Sequence, residues 1–330
     1  MRKSLALPET GGYHIIRYKQ RKASERKDAW RKDRNKGIGG SDMSVVLGIS
    51  RFKTPYQLWL EKTGKQEPKD IGGKWAVVKG NALENKLRQR FRLIHPEWQI
   101  TDGTDSVLVR DDKPFMRASL DGAIHDPETD EWGVLEIKTA GSRRYSDWHD
   151  ENDDLKVPDY YLAQVTYYLA VTGWKWAIVY ADLSDGGEPV ELRVERDEDD
   201  IWAVERAAAQ FWHFVTADIM PEFKDQSDVL TAFPEPIDDG IIDLDSDEKT
   251  VDLMRRYADA KAAEKAAKEA EDQLKQQLIV KIGGATGIQA GGYRATYKAF
   301  DRGAYMVKAS SGRRFAFGKP KEKKPSKGDK

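Results

Sequence analysis

The chain contains no cysteine, which excludes disulfides and cysteine-ligated zinc or iron–sulfur centres. It has no apolar run long enough to cross a bilayer and nothing that reads as a secretory signal, so a cytoplasmic location without membrane attachment is the expectation. Net charge is nearly absent as well: 55 Lys and Arg stand against 56 Asp and Glu, giving −1. That balance does not exclude nucleic acid as a partner, because a local basic surface governs such contacts rather than the whole-chain charge. What the chain does have is core material and charge. Of its 330 residues, 39% are hydrophobic and ten are Trp, enough for one large domain with an appendage, and 34% are charged.

The charge is unevenly placed. Between Arg17 and Lys36, ten Lys or Arg face three acids, so residues 1–36 read as a basic N-terminal arm, solvated or in contact with phosphates. From Gly37 the sequence runs G-I-G-G-S-D-M-S-V-V-L-G-I-S-R-F-K-T-P-Y-Q-L-W-L-E-K-T-G-K. Glycines at 37, 39 and 40 allow a tight bend, and Ser41 with Asp42 can cap a helix carrying Met43, Val46 and Leu47. A glycine turn opening a helix is an anion site in the making. Thr54-Pro55 caps a second helix, which Gly64 closes. Farther on, G-N-A-L-E-N-K-L-R-Q-R-F-R-L-I puts Glu84, Leu87 and Phe91 on one helical stripe, where Glu84 has a job or pairs with Arg88 at i+4.

The segment R-A-S-L-D-G-A-I-H-D-P-E-T-D-E-W-G-V-L-E-I-K, Arg117 to Lys138, reads as a hairpin with charges among core-forming residues. Strand alternation sets Ser119 and Asp121 on one face, and Glu136 with Lys138 on one face, while Leu120, Leu135 and Ile137 point away. Carboxylates in such surroundings want a partner, a metal or a function. Two carboxylates and a lysine suit a hard, oxygen-ligated cation such as Mg²⁺ and phosphodiester hydrolysis. The other reading is a solvated hairpin with a surface ion pair. Strands are expected near 106–110 and 115–120, then, beyond Arg143 and Arg144, an acidic loop from Asp147 to Asp154. Next come a helix from Pro158 to Gly173, strands at 176–183 and 190–194, and an amphipathic helix at 199–217. Gln164 shares a stripe with Tyr161 and Tyr168 in the first of these helices. It serves either the site or a backbone group.

The D, fourteen residues, E-x-K spacing resembles the PD-(D/E)xK nuclease superfamily, and G-I-G-G-S-D followed by L-G-I-S-R-F-K-T-P-Y-Q-L-W-L-E-K-T-G resembles the YqaJ-type viral recombinases, which include the bacteriophage lambda exonuclease. The resemblance covers residues 30 to 218. It implies an α/β fold, a central mixed β-sheet flanked by helices in a restriction-endonuclease-like core, here with a helical and small β C-terminal extension. It also implies a Mg²⁺-dependent 5′-to-3′ exonuclease, with Mn²⁺ able to substitute, that degrades one strand of linear duplex DNA to leave 3′ overhangs. Asp121, Glu136 and the Ile137 carbonyl would hold the metal. Lys138 would orient or deprotonate water, and Glu84 and Gln164 would position it. Ser41 and Arg34, or Arg31 one turn away, would grip the terminal 5′-phosphate. Ser119, Arg51 and Arg144, or Arg143 beside it, would contact DNA. A homotrimer, a single-strand annealing protein as partner and a bacterial host cytoplasm follow from the same resemblance. A repair or restriction-type endonuclease with the same core, and a noncatalytic DNA-end binder, are the alternatives.

Beyond the nuclease domain, expected at 37–220, ten acids against one lysine and prolines at 221, 234 and 236 read as an acidic linker over 221–248. Residues 249–318 read as an Ala-, Lys- and Glu-rich helix followed by a small sheet, and 319–330 as a basic disordered tail.

Overall fold

The structure, a computed structural model, describes residues 6–9, 11–20, 22–183, 187–234 and 240–299. In chain order the elements begin with β1 (Tyr13–Arg17), α1 (Ala23–Arg34), β2 (Ile38–Gly39), α2 (Gly40–Val46), α3 (Pro55–Lys62) and α4 (Trp75–Ile94). They continue with β3 (Gln99–Asp102), β4 (Ser106–Arg110), β5 (Met116–Ala118), β6 (Gly122–Asp126) and β7 (Glu131–Thr139). A 3₁₀ turn (Ser142–Asp147) leads to α5 (Asp159–Thr172), β8 (Trp176–Asp182), β9 (Val190–Glu195), α6 (Glu198–Thr216) and α7 (Gln226–Ala232). The chain forms two compact units, Met1–Ala232 and Phe233–Lys330.

Strand alternation sorts the first unit's apolar residues into two layers. The five-stranded sheet, ordered β3-β6-β7-β8-β9, is antiparallel except for the parallel pair β7–β8. One face carries Ile124, Leu135, Ile137, Ile178 and Tyr180, which pack with Leu87 and Phe91 of α4. The other carries Ala123, Val134, Ala177, Val179 and Ala181 and packs with α5, buried from Ala163 to Thr172. Leu135 and Ile137 thus take the opposite face from Glu136 and Lys138, as the alternation predicts. A four-stranded sheet, β1-β4-β5-β2, closes the other side of α5. The mixed α/β class with flanking helices agrees with the sequence reading.

Several boundaries differ from expectation. Part of the basic stretch 1–36 is folded: β1 pairs with β4 in register from Tyr13–Arg110 to Arg17–Ser106, and α1 turns Ala29, Trp30 and Asp33 inward. A helix with so thin an inner face shows almost no apolar period, so the charges dominated its reading. β3 was not anticipated. The hairpin strands are β6 and β7, with Asp121 in the link before β6 rather than at the end of a strand. The supposed linker supplies α7 to the first unit. Asp228, wholly buried, accepts from Thr54 Oγ1 at 2.6 Å and from the Lys224 backbone at 2.9 Å, and Phe223 meets Tyr56 edge-on at 5.0 Å. An acid at a linker's expected place is here a lock on the cap of α3.

The glycines of the first motif serve close approach rather than a left-handed turn. A Cβ on Gly40 would stand 2.2 Å from the Tyr168 ring, and one on Gly37 would stand 2.4 Å from the Phe115 carbonyl. Met43 and Val45 are the buried apolar side chains of α2, while Leu47 is exposed. In the second unit, α8 (Glu248–Ile282) precedes an antiparallel hairpin of β10 (Gly287–Ala290) and β11 (Tyr293–Thr296), as expected. The expected R-R-F-A-F-G-K strand and basic tail lie outside the described residues.

Candidate active site

The parallel pairing of β7 with β8 leaves Glu136 and Lys138 facing α5, and α5 presents Gln164 to them. Glu136 is 1% exposed; its Oε1 accepts from Gln164 Nε2 at 2.6 Å and from the Lys138 ammonium, whereas Oε2 is buried without a partner. Lys138 also donates to Gln164 Oε1 at 3.2 Å and lies 4.7 Å over the Tyr161 ring. Asp121 joins from the link before β6, where its Oδ2 accepts from the Ile137 backbone at 2.8 Å. Glu84 approaches from α4. It is tied to Arg88 at 2.6 Å, and Arg88 reaches on to Asp102 at 2.8 Å. The i+4 ion pair leaves Glu84 near enough to feel the charge of Asp121.

Crowded carboxylates in a low-dielectric site resist ionisation together. Burial, reinforced by the Asp121 charge, pushes Glu136 up to about 8. Burial raises Asp121 against the pull of Lys138, and burial followed by Asp121 raises Glu84. Burial alone would lower Lys138, but the Glu136 and Asp121 carboxylates outweigh it and hold the ammonium charged. A lysine held charged in this way is suited to donate and orient.

A second group lies beside the first. A cavity of about 50 Å³ is lined by Trp30, Arg34, Ser41, Arg117, Ser119 and Tyr168, among others. Arg34 Nη2 donates to Ser41 Oγ at 3.1 Å and to Asp42 Oδ1 at 2.8 Å, and its guanidinium sits 5.3 Å from the Trp30 ring centre. Asp42, also buried, is clamped by Lys62 at 2.8 Å. Ser119 accepts from Trp30 Nε1 at 3.2 Å. Arg34 is therefore the residue at Ser41, while Arg31 is exposed. The turn works through side chains: the Gly39 backbone N–H already donates to Asp42 Oδ2 at 3.1 Å, so the end of short α2 is not an open anion site.

Tyr168, whose part the sequence did not reveal, connects the two groups. Its hydroxyl accepts from Gln164 Nε2 at 3.0 Å, and its ring walls the cavity against Gly40. The i, i+4 spacing of Gln164 and Tyr168 on one stripe was the available clue. Arg51 and Arg144 gather elsewhere, on Asp147: Arg51 forms a fork at 2.9 and 3.0 Å, Arg144 stands at 3.5 Å and Tyr160 donates at 3.2 Å. Asp147, read as loop, is the hub of that basic edge.

The donor set suits a hard cation. Glu136 Oε2 is a buried acceptor with nothing to accept from, and the neighbouring carboxylates raise one another's affinity for positive charge, which a divalent ion relieves. Among the described residues no three His, Asp or Glu side chains converge as a ready cage. A magnesium site of one or two carboxylates completed by backbone and water needs none.

Residues 29–175 match the family model described as YqaJ-like viral recombinase domain. The uncharacterized protein YqaJ of Bacillus subtilis (strain 168) is 33% identical over 193 residues, which are 57% of this chain and 56% of that protein; the chain thus spans about half the length of this curated relative. The alkaline exonuclease LHK-Exo of Laribacter hongkongensis aligns with a TM-score of 0.47 at 21% identity, over 58% of this chain and 94% of that one. A phage-related exonuclease from Haemophilus somnus 129PT aligns with a TM-score of 0.41 at 13% identity, over 56% and 96%. Arg34, Ser41, Glu84, Asp121, Glu136, Lys138 and Gln164 all fall inside the stretch that matches the YqaJ-like viral recombinase domain model.

Proposed function

We propose that the protein is a metal-dependent deoxyribonuclease that degrades linear duplex DNA from 5′-phosphorylated ends and leaves 3′ single-stranded overhangs for an annealing protein. The observation that carries this reading is one tyrosine, Tyr168, shared between a buried carboxylate–lysine cluster and a cavity lined by two arginines and two serines. The first suits phosphodiester hydrolysis and the second suits a phosphate. Their adjacency suits a strand end held while the next bond is cut.

Asp121, Glu136 and the Ile137 carbonyl would hold Mg²⁺, which when bound supplies Lewis-acid polarisation of the phosphodiester and acidifies water. The chain's own residues do the rest. Gln164 fixes the Glu136 carboxylate through Oε1 and leaves Oε2 free. Lys138, held charged, donates to the attacking water or the phosphate oxygen and offsets charge as it develops. Glu84, with its proton affinity raised by burial, is placed to accept a proton. At the cavity, Arg34 and Ser41 would receive the terminal phosphate with Ser119. Arg51 and Arg144 would follow the strand's backbone.

The test compares degradation of one linear duplex with a 5′-phosphate or a 5′-hydroxyl, and of a closed circle, with and without Mg²⁺. A charge-assisted contact of roughly 1.5 to 3 kcal/mol gives a ten- to hundredfold advantage for the phosphate. Arg34→Ala should erase most of it. Equal rates on both ends, or cutting of the circle, would replace this reading with that of an endonuclease.

A further inference from the structure

Arg117 lines the same cavity as Arg34 and Ser41 but comes from β5. Its side chain is 13% exposed, and Nη1 donates to Asp33 Oδ2 at 2.7 Å. Among the described residues its buried Nε has no hydrogen-bond partner. The side chain passes over Gly37, where an added Cβ would stand 2.8 Å from Arg117 Cδ, so the absent side chain at 37 gives it its route.

A carboxylate in the wall of an anion pocket ought to repel the ligand, yet Asp33 is fully engaged. Its Oδ2 also accepts from the Tyr18 hydroxyl at 3.0 Å, and its Oδ1 pairs with Lys36 at 2.9 Å. Arg34 is held in the same manner by Asp42, itself paired with Lys62. Two guanidiniums from different elements are thus each braced by an aspartate at one small cavity. Arg34, Lys36, Lys62 and Arg117 stand against Asp33 and Asp42, four cations to two anions. The surplus of two matches a phosphate monoester, which carries roughly −1.5 to −2 at neutral pH, better than a singly charged diester. A guanidinium fixed on one side offers its remaining N–H groups in a set direction.

We propose that Arg117 is the second arm of the terminal-phosphate site and that the two braced arginines select a doubly charged monoester end over a singly charged, esterified one. This rests on reading the cavity as a terminal-phosphate site. The test is equilibrium binding of the full chain in EDTA to a short duplex carrying a 5′-phosphate, a 5′-O-methyl phosphate or a 5′-hydroxyl, read by fluorescence anisotropy. The wild type should bind the phosphate roughly tenfold or more tighter than the methyl ester, the worth of one charge-assisted hydrogen bond, and the methyl ester tighter than the hydroxyl. Arg117→Met should collapse the first ratio towards one and keep the second, which belongs to Arg34 and Ser41. If the methionine variant does not fold, Arg117→Lys preserves the ion pair with Asp33 but loses the fork, and the first ratio should fall there too. An unchanged first ratio in whichever variant folds, or a wild type that does not distinguish phosphate from methyl ester, overturns the role of Arg117. A wild type indifferent to phosphate and hydroxyl overturns the reading of the cavity itself.

Discussion

Replacing Glu136 with Gln should stabilise the cation-free protein while abolishing its chemistry. Burial lifts the Glu136 carboxyl from 4.5 to about 8. The folded state therefore holds a proton that the unfolded chain releases, so this group's contribution is complete below about 4.5 and is lost as pH rises towards 8. At about 1.36 kcal/mol per pH unit, the full loss approaches roughly 5 kcal/mol. Gln has no charge to suppress, and its Oε1 can still accept from Gln164 and Lys138. Its NH₂ would take the place of the unpartnered Oε2, at a cost of roughly 1 to 3 kcal/mol for a buried donor without an acceptor. The net gain at pH 8.5 is about 2 to 4 kcal/mol, a rise in Tm of roughly 4 to 16 °C for a unit of this size. The assay is thermal melting in EDTA from pH 4 to 9, repeated with Mg²⁺. The variant should melt above the wild type at pH 8.5 and lose that advantage near pH 4. Mg²⁺ should raise the Tm of the wild type alone. A variant that melts below the wild type at pH 8.5 in EDTA would refute the electrostatic account of the cluster.

Lys138→Ala should keep its far-UV circular dichroism and lose roughly a hundredfold or more in cleavage, as expected for a lost donor at developing charge; turnover near wild type would remove Lys138 from the site. Tyr168→Phe keeps the ring against Gly40 but deletes the acceptor for Gln164, so cleavage should fall roughly tenfold from one lost hydrogen bond with the 5′-phosphate preference intact. Loss of that preference instead would mean that the hydroxyl, not the ring, serves the cavity. Asp228→Ala strips the cap of α3 of a buried partner and should cost about 2 kcal/mol, measured by urea melting. Truncation after Glu222 should lower Tm while truncation after Ala232 should not, and equal melting of the two truncations would show that α7 contributes nothing.

The sequence was most legible where one residue type does one job. Thr54-Pro55 and Gly64 bounded α3, Pro158 and Gly173 bounded α5, and the Glu136-Ile137-Lys138 triplet split its charges from its apolar residue by simple alternation. It was least legible where charge is used inside. Asp33, Asp42, Lys62 and Asp228 are buried, and each has a charged or polar partner in another element, so no local period marks them. Arg117 and Asp147 were passed over for the same reason: a residue's value as a brace depends on what the fold brings opposite it. The two glycines at 37 and 40 were noticed but misread, because steric approach by Phe115 and Tyr168 is invisible until those residues are in place.

The chain crosses from one sheet to the other between Ala118 and Gly122. Ser119, on the near side, belongs to the cavity; Asp121, on the far side, belongs to the carboxylates; buried Leu120 and the close approach of Gly103 to its carbonyl pin the step between them. One residue of the grip and one of the blade would thus be mounted on the same short piece of backbone. For a nuclease of the proposed kind this would tie part of the offset between the held end and the cut bond to covalent geometry. Evolution could retune the grip or the blade separately by changing side chains, whereas an insertion or deletion at Leu120 would change the spacing of Ser119 from Asp121.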